Sequence, residues 1–340
     1  VFVHHLNLRW ISAEKLPFGN LAELGVVSFF IMSGCVIAYV TEKKEKTWQA
    51  YTTSRLARVY SVALPTIVLV PLLDMAGRYF GGTIYDGVPD NNHALRMVIS
   101  MLFANEFWTQ SVLLFSNGPY WSLCYEVWYY LAFGVILFLR SPLKAPALLV
   151  IALVVGPKIV FLAPIWFLGV LLHRTDLRQS NSPKLYLIAA VMGALGTVAF
   201  VMFKISAQLT HLTQVMLPDS LFSDLLHAQG FLADWVLALL IFTHLFGMKL
   251  ASSHISTILL KLEKPIRFLA KFTFALYLLH QPLIYFWASV LKPNNQSISY
   301  VFLLMLTILL SVFFFGQFTN YLHSRLKGRQ IFTELSLQQH

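Results

Sequence analysis

Apolar stretches long enough to cross a lipid bilayer recur along this chain from its first residues almost to its last. An α-helix needs about 20 apolar residues to span the bilayer core, and 57% of the 340 residues are hydrophobic whereas 12% are charged. A soluble domain of this size does not need so much apolar surface. The sequence therefore predicts an all-α fold, a polytopic transmembrane helix bundle of about 10 spanning helices plus a re-entrant or interfacial segment.

Short polar loops separate the apolar segments, and polar side chains interrupt one further stretch. Residues 94–116 contain Arg96, Asn105, Glu106 and Gln110, so we predict that protein covers this stretch where it dips into the membrane or lies at the membrane surface. The predicted spans are residues 1–11, a partial first helix, and residues 25–40, 59–77, 120–139, 146–158, 159–173, 185–203, 231–248, 272–291 and 300–322.

The basic residues lie where a membrane topology would place them. The net charge of +10 could indicate a nucleic-acid partner, but if the loop at 41–58 is cytoplasmic and each predicted span crosses once, 18 of the 25 Lys and Arg residues fall on that side. This distribution follows the positive-inside rule. We predict a multi-pass protein of the bacterial inner (plasma) membrane, in contact with membrane lipid and with no nucleic acid. We expect residues 1–322 to form a single membrane-embedded domain, with its first helix truncated at the N-terminus, and residues 323–340 to form a basic cytoplasmic tail.

Two adjacent histidines, His4 and His5, lie in the first apolar segment. Polar groups inside apolar helices are costly, so each one is a functional hypothesis. A neutral imidazole can accept a proton from a hydroxyl near pH 7, which is what a general base must do. A pair of interfacial histidines hydrogen-bonded to a neighbouring helix fits the same position equally well.

Two arginines, Arg55 and Arg58, lie at the cytoplasmic end of the helix that continues through Pro65. Their spacing of three residues puts both guanidinium groups on one side, where they could hold a phosphate through paired hydrogen bonds. The positive-inside rule alone also predicts arginines at the cytoplasmic end of a helix. Without other information the topological interpretation is favoured.

A carboxylate lies one turn inside the helix that begins near residue 120. Ser122 and Glu126 are four residues apart, and Tyr129 and Tyr130 continue the same stripe. Glu126 must be protonated, paired or exposed to a wet cavity, because a bare charge in an apolar helix is costly. A belt of interfacial aromatic residues would not account for this glutamate.

A second polar stripe consists of Thr273, Tyr277 and His280 on an otherwise lipid-compatible helix. Hydrogen bonding between helices alone could explain it, and this is the favoured role for Thr273 and Tyr277.

Five motifs in a fixed order connect these residues. Together they resemble the acyltransferase-3 family, the integral membrane acyltransferases that O-acylate bacterial surface sugars and related acceptors, over residues 1 to about 322. The motifs are a first helix ending in His4, then Gly25-Val-Val-Ser-Phe29-Phe30-Ile-Met-Ser33-Gly34, Arg55-x-x-Arg58 running to Pro65, Tyr120-Trp121-Ser122-Leu123-x-x-Glu126-x-x-Tyr129, and Leu276-Tyr277-Leu278-Leu279-His280-Gln281-Pro282.

The resemblance implies an O-acetyltransferase type of enzyme. It implies acetyl-CoA or another acyl-CoA as co-substrate, and a hydroxyl of an envelope or exported carbohydrate, or of a lipid-linked sugar, as acceptor. By position the family's catalytic histidine falls on His4, acting as a general base, and its acyl-CoA-linked arginine pair falls on Arg55 and Arg58. The other predicted site residues are Ser122 and Glu126, as catalytic groups, and His5, Ser33, Trp121, Tyr129, Tyr277 and His280, as substrate-binding or supporting groups.

The chain departs from the family pattern at Val27, where many members have Asp, and it begins too late to show the basic residue that usually precedes the histidine. Two isolated cysteines, Cys35 and Cys124, make no metal cluster, and we predict no metal.

Two other functions stay open. In a proton-coupled transporter or flippase of a lipid-linked sugar, the buried His and Glu residues would relay protons, although we find no paired Gly- or Pro-broken helices in matching halves. A sensor or scaffold would bind lipid or carbohydrate without turnover.

Overall fold

The computed structural model describes residues 1–7, 21–175, 183–251, 260–292 and 297–337, with side chains to residue 326 in the last range. Within these ranges the chain forms helices and no β-strand, which confirms the predicted all-α fold. The helices are α1 (Phe2–His5), α2 (Ala22–Lys44), α3 (Trp48–Gly81), α4 (His93–Met101), α5 (Trp121–Phe138), α6 (Ser141–Val155), α7 (Pro157–Arg174), α8 (Pro183–Met202), α9 (Ile205–Met216), α10 (Asp219–Leu225), α11 (Phe231–Leu250), α12 (Glu263–Leu291) and α13 (Ile298–Leu337).

Eight helical stretches of the described chain are long and apolar enough to cross a bilayer. They contain α2, α3, α5, α7, α8, α11, α12 and α13. The predicted span at 146–158 corresponds to α6, which has 15 residues and is about 22 Å long at 1.5 Å per residue, shorter than the bilayer core. The first predicted span is helical over Phe2–His5 in its described part. Residues 323–337, predicted as a tail, continue α13 as helix.

The basic loops define the two ends of the bundle. The end of α2 carries Lys43 and Lys44, and the start of α12 carries Lys264 and Arg267. By the positive-inside rule this is the cytoplasmic end. We call it the inner end, and the opposite one the outer end.

The segment predicted at 94–116 enters the bundle instead of lying along its surface. Its tip, residues 101–103, accepts two side-chain hydrogen bonds. The Tyr60 hydroxyl donates to the Met101 carbonyl at 3.0 Å, and Trp128 Nε1 donates to the Phe103 carbonyl at 2.9 Å. Tyr60 lies about 18 Å along α3 from its inner start. The tip is therefore deep between α3 and α5, where the protein satisfies its backbone groups.

A fully buried ion pair fixes this re-entrant segment to α7. Lys158 donates to Glu106 at 3.1 Å, and their side chains are 0% and 1% exposed. Glu106 also accepts a hydrogen bond from Ser111 at 2.6 Å, and Lys158 donates to the Gln110 carbonyl. Buried charges persist only when paired and hydrogen-bonded in this way, so the segment is held in one place beside α5.

Helices α2 and α7 pack with their backbones in contact. A Cβ atom added to Gly34 would overlap the main-chain carbonyl of Trp166, and one added to Gly169 would overlap that of Ile31. Small residues at such crossings let membrane helices approach closely. The contact brings Ser33 of α2 against Trp166 of α7, whose Nε1 donates to the serine oxygen at 3.3 Å.

We expect Gly169→Ala to destabilise the folded protein by about 1–3 kcal/mol, because the added methyl group must push α2 and α7 apart. Thermal unfolding of the detergent-solubilised protein measures the effect. Gly82→Ala is the matched control, because no atom lies within 4 Å of the Cβ it would add. Equal unfolding temperatures for the two variants would contradict the close packing.

Candidate functional site

Three cavities follow one another through the described bundle from its inner to its outer end. The inner cavity has a volume of about 870 Å³, the middle cavity about 250 Å³ and the outer cavity about 380 Å³. Phe29, Arg58 and Glu126 line both the inner and the middle cavity, and Tyr277 lines both the middle and the outer cavity. The cavities therefore form one series, and the middle and outer members meet at Tyr277.

The outer cavity contains the histidines of the first segment. His4 is exposed to it and His5 is half-buried beside it. Trp121 lines the same cavity and stacks on His227, with the ring centroids 4.4 Å apart and the planes 8° from parallel. Its other described polar lining groups are Glu23, Asp234, Tyr277 and Gln281. These carboxylate and amide groups can exchange hydrogen bonds with hydroxyls.

Three imidazoles form a cluster at the outer end. The His5 ring centroid is 5.2 Å from that of His4 and 5.1 Å from that of His280. His280 is buried, and its Nδ1 lies 2.8 Å from the Tyr277 carbonyl and 3.1 Å from the Leu276 carbonyl. Because a carbonyl only accepts, Nδ1 carries the proton, and Nε2 holds a lone pair when the ring is neutral. His4 is the most exposed member of the cluster and lines the outer cavity.

The buried carboxylate of Glu126 lies at the inner and middle cavities. It accepts hydrogen bonds from the hydroxyls of Ser33 and Tyr130. Since Ser33 gives its single proton to Glu126, its oxygen accepts the hydrogen bond from Trp166. The glutamate is thus both hydrogen-bonded and next to a cavity, as the cost of burying it requires.

Ser122 and Tyr129 do not belong to the described lining of these cavities. The Ser122 hydroxyl is fully buried, donates to the Pro119 carbonyl at 3.2 Å and lies 2.6 Å from the Tyr277 hydroxyl. The Tyr129 hydroxyl donates to the Ile159 carbonyl at 2.8 Å and so connects α5 with α7. Ser122 holds Tyr277 in place, and Tyr129 supports the packing of the helices.

The two predicted arginines do not share a cavity. Arg58 is exposed and lines the inner and middle cavities, and within the described chain no carboxylate forms an ion pair with it. Arg55 is 6% exposed, is paired with Glu45 and faces a separate, mainly apolar cavity with Trp48 and Tyr60. Arg55 and Arg58 therefore do not form a single phosphate site together.

Two basic residues that the sequence analysis counted only as topological charges face the inner cavity. Arg267 and Lys271 lie one turn apart on α12 and line this cavity with Arg58. Arg267 also pairs with Glu263 at 2.7 Å, and both of these side chains are exposed. In the sequence, the four-residue spacing of Arg267 and Lys271 could have indicated that they act together, because it places both side chains on one helix face. The described lining of the inner cavity thus includes three Lys and Arg side chains.

The predicted site residues lie on two sides of Tyr277. His4, His5, Trp121 and His280 are at the outer cavity or directly behind it, whereas Ser33 lines the inner cavity and Glu126 lines the inner and middle cavities. The polar stripe of α12 connects these regions, since Thr273 lines the inner and middle cavities. Val27 lines the outer cavity.

Comparison with known proteins gives one match. A family model described as an acyltransferase domain matches residues 1–316. No curated protein and no solved structure matches the chain. Among the described residues, no three His, Cys, Asp or Glu side chains are grouped as a metal site requires.

Proposed function

Because this chain belongs to the acyltransferase-3 family and is a multi-pass membrane acyltransferase, we propose that it transfers an acyl group, by default acetyl, from acyl-CoA to a carbohydrate hydroxyl. The acceptor is an envelope or exported carbohydrate or a lipid-linked sugar, and the membrane is the inner membrane of a bacterium. The observation that supports the proposal is the series of cavities, basic at its inner end and lined by histidines at its outer end.

The donor binds in the inner cavity. Coenzyme A carries phosphates at one end and the acyl thioester at the other, and it is made in the cytoplasm. Arg58, Arg267 and Lys271 offer the charge-assisted hydrogen bonds that phosphates accept. With its phosphates at these residues, the acyl end of the donor points toward the middle cavity, which is lined by Glu126, the hydrogen-bond partner of Ser33.

The acceptor binds in the outer cavity. Glu23, Asp234 and Gln281 offer hydrogen-bond partners for several hydroxyls of a sugar. The described lining of this cavity contains no Lys or Arg side chain, which favours a neutral sugar unit over a phosphorylated one. One hydroxyl of the bound acceptor lies against His4.

The transfer itself needs one base and one leaving group. His4 takes the proton from the acceptor hydroxyl while the oxygen attacks the thioester carbonyl, forming the C–O ester bond as the C–S bond breaks. The sulfur of coenzyme A leaves as the thiolate and recovers the proton from His4. Holding the two substrates in contact accounts for a large part of the rate enhancement. A covalent acyl intermediate is the alternative course.

Purified protein incubated with labelled acetyl-CoA tests the proposal. We expect slow hydrolysis of the thioester alone and transfer of the label when the natural surface glycan is added. A transporter would neither hydrolyse the donor nor transfer its acyl group, and a sensor would bind without turnover. Mass spectrometry of surface glycans from cells with and without the gene then identifies the acceptor, and an unchanged acetyl content would contradict the carbohydrate assignment.

A further inference from the structure

Two aromatic rings stand between the donor side and the acceptor side of the cavity series. Phe29 of α2 lines the inner and middle cavities, and Tyr277 of α12 lines the middle and outer cavities. Their centroids are 5.3 Å apart and their planes are 9° from parallel, so the rings stack face to face. We call this pair the aromatic aperture.

Different contacts hold the two rings. The Ser122 oxygen lies 3.2 Å from the Pro119 carbonyl, and the Ser122 hydroxyl shares a 2.6 Å hydrogen bond with the Tyr277 hydroxyl. This bond ties the Tyr277 ring to the buried start of α5. Phe29 has no polar group, and the residue one helical turn before it is Gly25, which lines the middle cavity without a side chain. Phe29 is therefore the ring that can rotate with the smaller loss of interactions.

The order of atoms in the donor makes this aperture selective. The acyl chain is the far end of acyl-CoA, so it must pass ahead of the thioester carbonyl. For that carbonyl to reach His4 at the outer cavity, the whole acyl chain must already lie beyond Phe29 and Tyr277. The chain must also share about 380 Å³ with the bound acceptor. A two-carbon group meets both conditions more easily than a long chain.

We propose that Phe29 and Tyr277 limit the length of the acyl group that this enzyme transfers, with Phe29 as the residue that sets the limit. This inference rests on the function proposed above. It makes the natural donor a short-chain acyl-CoA, and it assigns Phe29 a role in specificity that is separate from the proton transfer at His4. Hydrophobic sites discriminate between chains that differ by a methylene by roughly 10- to 200-fold.

The test compares acetyl-CoA, butyryl-CoA and octanoyl-CoA as donors for the wild type and for Phe29→Ala. The wild type is expected to prefer acetyl-CoA, and Phe29→Ala is expected to raise the ratio of kcat/KM for octanoyl-CoA to that for acetyl-CoA by at least about tenfold. Phe29→Trp should lower the butyryl to acetyl ratio, so a variant with the opposite effect is available if the alanine variant does not fold. Phe302→Ala is the matched control, because that ring is 65% exposed on the surface of α13.

The outcomes separate the aperture from the proposed function. Transfer of acetyl by the wild type, with donor ratios unchanged in both Phe29 variants, would overturn the aperture alone. Equal use of octanoyl-CoA and acetyl-CoA by the wild type would also overturn it. A wild type that transfers none of the three acyl groups would overturn the proposed function, and this inference with it.

Discussion

Replacing His4 by alanine is expected to lower the rate of acyl transfer by about 10²- to 10⁴-fold, the range that a positioned general base contributes. His4 is the exposed member of the cluster of His4, His5 and His280 and lines the outer cavity, so without it no described imidazole of the cluster is equally placed to take the acceptor proton. The donor should still bind, because the basic residues of the inner cavity lie on the other side of Tyr277. Initial rates with labelled acetyl-CoA and calorimetric titration with coenzyme A measure the two effects.

Two further variants test the interpretation of His4. His4→Gln keeps a polar side chain but cannot accept a proton near pH 7, so it should be as inactive as the alanine variant. His211→Ala removes an exposed histidine on α9 that is not among the described residues lining the outer cavity, and should keep the wild-type rate. Near-normal transfer by His4→Ala, with an unchanged unfolding temperature, would remove the central role given to this residue.

Sequence reasoning predicted the elements of this fold better than it predicted their contacts. Long apolar segments specify spanning helices because the bilayer requires internally satisfied backbones. The segment with Glu106 and the segment with Lys158 were each assigned from their own composition, yet their side chains form one buried ion pair across 52 positions. Nothing in either segment alone indicates its partner, because tertiary packing determines the pairing.

The same limit applies to the candidate site. The helical repeat correctly placed Glu126 beside Tyr130, and it placed Thr273 and Tyr277 on one cavity-lining face. It could not show that Arg55 is neutralised by Glu45, ten residues earlier and across a loop. It also could not show that the rings of Phe29 and Tyr277 meet between the histidines and Glu126, since they belong to helices far apart in the sequence.

Replacing Arg58 by alanine is expected to raise the KM for acetyl-CoA by about 10- to 150-fold, because charge-assisted hydrogen bonds contribute about 1.5–3 kcal/mol each. Arg58 is exposed in the inner cavity, so its loss should weaken the binding of donor phosphate without reducing the stability of the bundle. Arg58→Lys keeps the charge but loses the planar fork, and should lie between the wild type and the alanine variant. Steady-state kinetics with increasing acetyl-CoA measures the change.

A donor without phosphates makes this test specific. Acetyl-pantetheine carries the same thioester but lacks the nucleotide, so the wild type and Arg58→Ala should have nearly equal KM values for it. The neighbouring Arg55 provides a contrast on the same helix. Arg55→Ala leaves Glu45 as an unpaired buried charge, and Glu45→Gln leaves Arg55 as one. Both variants should therefore lower the unfolding temperature. An equal rise in KM for acetyl-CoA and acetyl-pantetheine in Arg58→Ala would show that the guanidinium does not bind phosphate, and the donor would then have to be held elsewhere.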